Sequence, residues 1–61
     1  MRLKASYEND GWRKDEEWNC TLSQAHEKVK HIMNKLHSPY AIVRKENGEM
    51  LIYRYRRRKI S

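Results

Sequence analysis

Three histidines, one cysteine and one adjacent glutamate pair are the side chains here whose types could carry catalysis. His26, His31 and His37 are spaced by five and six residues. Residues share a helical face at spacings of three or four, so these imidazoles do not converge. Together with Cys20 they match no zinc pattern. Cys20, on the inward side of a strand with no base fixed beside it, reads as a small core residue. Glu16 and Glu17 are neighbours, and neighbours in a strand point to opposite faces, which rules out a catalytic dyad. No glycine-rich phosphate loop is present. The expectation is a protein with no catalytic residue, no metal and no cofactor.

Binding chemistry is better represented. Residues 54 to 59 hold five of the fourteen basic side chains, and without those five the net charge falls from +6 to +1. The cations Arg54, Arg56, Arg57 and Arg58 follow or interleave with Tyr53 and Tyr55, and Tyr40 lies one strand earlier. Aromatic rings contact base faces and guanidinium groups contact phosphates, so tyrosines beside arginines suit single-stranded nucleic acid. Two simpler readings stand beside this one. Tyr40 and Tyr55 form an ordinary cross-strand pair, and the basic run 56–61 is a solvated, flexible tail.

The elements that must position these residues follow from periodicity. Arg2 to Glu8 alternates, with Leu3, Ala5 and Tyr7 on one side, and predicts a half-buried strand. Asn9-Asp10-Gly11 is a turn signal. Residues 12 to 17 are charged and need not be regular. Glu17 to Leu22 alternates again, grouping Trp18, Cys20 and Leu22, and predicts a second strand antiparallel to the first. Thr21 with Gln24 three residues on has the form of a helix capping box. Leu22, Ala25, Val29, Ile32, Met33 and Leu36 then make one apolar stripe, ending near His37 because Pro39 disfavours helical geometry at Ser38. Asn47-Gly48 lies between two β-rich runs, 40–44 and 50–55, and predicts a hairpin with a two-residue turn.

The fold class expected is α+β: one antiparallel sheet of three to four strands, in the order β-β-α-β-β, with a single helix on one face. A two-residue turn sorts the hairpin into a face with Ala41, Val43, Lys45, Met50, Ile52, Arg54 and Arg56 and a face with Tyr40, Ile42, Arg44, Leu51, Tyr53, Tyr55 and Arg57. One helix covers one face. The Val43 and Ile52 face suits it, which leaves the tyrosines open.

Sixty-one residues make one small domain, 1–61. A single cysteine forms no internal disulfide and fits a reducing, cytoplasmic setting. No apolar run is long enough for a membrane span or a signal peptide, so no membrane partner is expected.

Leu22-Ser23-Gln24-Ala25 at the helix start, Glu46-Asn47-Gly48 at the hairpin and Leu51-Ile52-Tyr53 in the last strand carry a resemblance. Over about residues 21 to 55 the chain resembles small phage-encoded anti-CRISPR proteins that inhibit type I surveillance complexes. The resemblance implies a non-enzymatic inhibitor that docks on the guide-RNA complex and blocks target DNA. It also implies contacts from basic residues, for which Lys28, Lys35, Arg44, Lys45 and Arg54 are the positions here. The arginine-rich end and the charged N-terminal segment depart from that family. A fainter resemblance, through His37-Ser38-Pro39-Tyr40, is to small RNA-cleaving toxins.

The leading expectation is a small basic binding protein of phage or mobile-element origin, which occludes its target on a nucleoprotein complex or nucleic acid. An endoribonuclease toxin and a dimerising protein-interaction domain are the alternatives, so the chain is expected as a monomer or a homodimer.

Overall fold

Alternation over Arg2–Asn9 produces the first strand, β1, and the turn that follows decides the second. The computed structural model describes residues 1–56. Asp10 and Gly11 both hold positive φ, 53° and 80°, and Asn9 faces Trp12 directly. This is the two-residue hairpin whose backbone twist matches that of its strands. It propagates into β2, Trp12–Asn19. The second strand therefore begins five residues earlier than the alternation of 17–22 suggested and ends before Cys20. Its charged run can be a strand because β2 is a sheet edge, and Trp18 is its only buried residue. Cys20 falls in the link to the helix, and Leu22 is the first helical residue instead of an inward strand position.

The helix, α1, spans Leu22–Asn34 with the expected capping box. Gln24 N–H donates to Thr21 Oγ1 at 3.1 Å, and Thr21 N–H donates to Gln24 Oε1 at 2.9 Å. Ala25, Val29 and Ile32 are buried, Met33 and Leu36 pack half-buried against the core, and Leu22 is left exposed. The helix stops three residues short of His37, which takes a left-handed φ of 54°. Ser38 N–H then donates back to the Ile32 carbonyl, which satisfies one of the carbonyls that every helix end leaves open.

Two more strands, β3 (Tyr40–Lys45) and β4 (Met50–Tyr55), complete one antiparallel sheet in the order β2-β1-β3-β4. The α+β fold, the order β-β-α-β-β and the single helix are as the sequence implied. The β3–β4 turn differs. Lys45 N–H bonds the Glu49 carbonyl and Gly48 N–H bonds the Lys45 carbonyl, so the loop has three residues, Glu46 to Gly48. Gly48 supplies the positive φ, 91°, that this loop requires. Asn47 Oδ1 accepts from Glu49 N–H at 2.9 Å, which favours this longer loop over a two-residue one. A bulge follows at once. Arg44 faces Met50 while Val43 faces Ile52, leaving Leu51 as an extra residue. The two offsets cancel, so Tyr40 faces Tyr55 and Ile42 faces Tyr53, as a two-residue turn would also have placed them.

The core lies between α1 and one face of the sheet: Leu3, Ala5, Tyr7, Trp18, Ala41, Val43 and Ile52 against Ala25, Val29 and Ile32. Ser38 is also buried, and its hydroxyl ties two strands together. It accepts from Glu8 N–H at 3.1 Å and donates to the Tyr40 carbonyl at 2.6 Å. Among the described residues no helix is long and apolar enough to cross a membrane.

Candidate nucleic-acid interface

Register sorts the side chains, because a strand sends successive residues to opposite faces. Val43, Ile52, Ala5 and Leu3 lie under the helix. The opposite face therefore carries Lys4 and Ser6 from β1, Asp15 and Glu17 from β2, Tyr40, Ile42 and Arg44 from β3, and Tyr53 and Tyr55 from β4. No element of the described chain covers it. Tyr53 is 57% exposed and Tyr55 65% exposed. Their rings are nearly parallel, 13° apart, with centroids separated by 6.5 Å. That spacing is about one two-residue step along a strand. The two rings thus repeat at the interval of the backbone beneath them. Ile42, opposite Tyr53 on β3, lies half-buried beside them, and Leu51, the bulge residue, packs against the core.

Arg44, one of the cations that the sequence placed on this face, has a neighbour that sequence reading missed. Lys4 lies directly opposite it on the adjacent central strand. Two like charges face to face on a sheet are unfavourable unless an anion meets them. Two acids flank them: Glu17, opposite Lys4 on β2, pairs with Arg2 at 2.9 Å, and Asp15 pairs with Arg13 at 3.3 Å. Asp15 titrates below its usual value. The Ser6 hydroxyl donating to it at 2.7 Å is the largest cause; partial burial opposes, and Arg13 and then Arg44 add their charges. Neither Lys4 nor Arg44 has an ion-pair partner among the described residues. The signal for Lys4 was its position in the alternation of the first strand, which could not be used before that strand's neighbour was known.

The remaining basic candidates are spread round the molecule. Lys45 pairs with Glu49 at 3.0 Å in the hairpin turn. Lys28 sits over the Trp18 ring, 5.2 Å from its centroid, on the helix side. Lys35 caps the C-terminal end of α1. Arg54 faces Ala41 across the ladder and so lies on the helix side, where it lines a groove with His26, Lys30 and Met33. Arg56 donates from its guanidinium to the Met33 carbonyl, at the end of α1. Arg57 and Arg58, and the tail 57–61 with them, lie outside the described residues. The structure thus brings together Tyr40, Arg44, Tyr53 and Tyr55, and adds Lys4.

The residues considered for catalysis do not assemble. His26 lines the groove between α1 and β4, His31 a cleft beside Tyr7 and Glu16, and His37 a hollow beside Glu8 and Asp10. Glu16 instead serves two core rings: it accepts from the Trp18 indole N–H at 3.0 Å and stands next to the Tyr7 hydroxyl. Among the described residues no three histidine, cysteine or acidic side chains gather where a metal ion could be held.

No family model matches the chain, no curated protein matches it, and no solved structure matches it.

Proposed function

We propose that this chain is a small non-enzymatic binding protein that takes single-stranded nucleic acid, free or held within a nucleoprotein complex, on the open face of its sheet. The observation that carries this reading is the shared face: three tyrosines on the same side of the sheet as Lys4 and Arg44, which face each other across β1 and β3. Exposed rings offer stacking surface to unpaired bases, each worth about 1–3 kcal/mol. Lys4 and Arg44 attract the backbone between them. A duplex keeps its bases stacked inside and presents nothing to the rings. Occupying a strand in this way blocks whatever else would pair with it, which is how a small inhibitor of the anti-CRISPR kind would act.

Fluorescence anisotropy against labelled single-stranded DNA, RNA and duplex DNA at two salt concentrations tests the reading. Single strands are expected to bind more tightly than duplex, and less tightly as salt rises, because each neutralised phosphate releases counterions. Tyr53→Ala should weaken binding roughly tenfold, and Arg44→Ala should flatten the salt dependence. Equal affinity for duplex and single strand, or indifference to Tyr53, would remove the open face from the mechanism. A CRISPR interference assay then asks whether the strand-binding face acts on a guide-RNA complex.

A further inference from the structure

Cations on the other side of β4 extend this surface. Alternation sends Tyr53 and Tyr55 to the open face and Arg54, between them, to the helix side. There Arg54 lines a groove of about 530 Å³ between α1 and β4, with Lys30 and His26 from the helix and with Val29 and Met33 as its apolar floor. Tyr55 lines the same groove while its ring stacks with Tyr53, so one side chain belongs to both surfaces. β4 is a sheet edge, and no further described strand closes the passage from one side to the other.

Charge is also distributed unevenly. Among the described residues the cations that form ion pairs are Arg2, Arg13 and Lys45, and all of them lie on the β1–β2 hairpin or at the β3–β4 turn. Lys30 and Arg54 have no such partner among the described residues. Among the described residues Glu27 is the single carboxylate that lines their groove.

We propose that the α1–β4 groove is a phosphate-binding site, and that a single nucleic-acid strand crosses the edge of β4 with bases on the tyrosine face and phosphates in the groove. This rests on the nucleic-acid reading of the open face. An acidic peptide would satisfy Lys30 and Arg54 equally well but gives parallel rings nothing planar to stack on, and the shared Tyr55 favours the nucleic acid.

The test uses the whole chain and three probes: an oligothymidylate, an abasic deoxyribose-phosphate oligomer of the same length, and polyglutamate. Lys30→Gln combined with Arg54→Gln removes two exposed charges, and circular dichroism verifies that the fold survives. The double variant should lower the slope of log K against log salt for oligothymidylate by about 1.4, the value for two single-strand phosphate contacts. It should also lose the abasic oligomer. Tyr53→Leu should weaken oligothymidylate and leave the abasic oligomer unchanged. An unchanged salt slope in the double variant overturns the groove; if Tyr53→Leu still weakens oligothymidylate, the open-face reading survives that loss. Polyglutamate binding as tightly as oligothymidylate would make the groove a peptide site and overturn the proposal as well.

Discussion

Glu16 shows how far a side chain's role depends on what packs beside it. In sequence it is half of an adjacent acidic pair. In the fold its carboxylate receives the Trp18 indole N–H and stands against the hydroxyl of Tyr7, whose ring is buried in the core. Burial pushes the Tyr7 phenol above its ordinary 10.0, and the Glu16 carboxylate adds to the shift through hydrogen bonding and charge. A raised folded-state value means that the native state holds the phenolic proton more tightly than the unfolded chain does. The associated stability is complete below pH 10.0 and is lost as pH rises through the raised value. Denaturant midpoints followed from neutral to strongly alkaline pH should therefore fall less steeply for Tyr7→Phe than for the parent. Parallel curves for the two proteins would mean that Tyr7 does not titrate in this way.

At the scale of elements, both ends of α1 are finished by side chains, and only one of those arrangements is local. The Thr21 and Gln24 box lies within four residues and was readable directly. The other end depends on Arg56, which is 23 residues away from the Met33 carbonyl it meets. A guanidinium there supplies a charge-assisted hydrogen bond and opposes the negative end of the helix dipole. Arg56→Ala should cost about 1 kcal/mol and lower the thermal midpoint by roughly 4–8 °C. Its effect on oligonucleotide affinity should be smaller than that of Arg44→Ala. An unchanged midpoint would show the contact to be idle and return Arg56 to the binding surface. The β3–β4 hairpin is a second case. Asn47-Gly48 marked the turn, but loop length depended on the Asn47 side chain engaging Glu49 N–H, and the bulge at Leu51 then restored the register.

Across the whole molecule, charge is sorted by position. Five of the eight acids, Glu8, Asp10, Asp15, Glu16 and Glu17, lie on the β1–β2 hairpin, and Glu46 and Glu49 lie at the β3–β4 turn. Lys30 and Arg54 lie instead in the groove between α1 and β4, and a polyanion approaching the molecule is steered there. A domain of 61 residues buries a modest core, so a ligand of its native state should stabilise it visibly. Saturation at one hundred times Kd contributes about 2.7 kcal/mol, which for a chain of this size raises the melting midpoint on the order of 10–20 °C. Oligothymidylate should produce that shift and duplex DNA of equal charge a much smaller one. Equal shifts from both would reduce the interaction to charge alone.

Local pattern was enough to determine most of the elements. Alternation in 2–8, the capping box at Thr21, the apolar stripe of α1 and Asn47-Gly48 each act over a few residues, and together they imply β-β-α-β-β and the Val43 and Ile52 face as the one under the helix. What tertiary structure decided is which distant residues became neighbours. The charged run 12–17 carries no apolar alternation, so only the tight turn at Asp10-Gly11 and the partner strand make it β2. Lys4 joins Arg44 because β1, and not β2, lies beside β3. Arg54, which alternation already put on the helix side, meets Lys30 and His26 only because α1 packs beside β4. Strand order and burial are set by the summed packing of the whole chain, and no window of ten residues contains that sum.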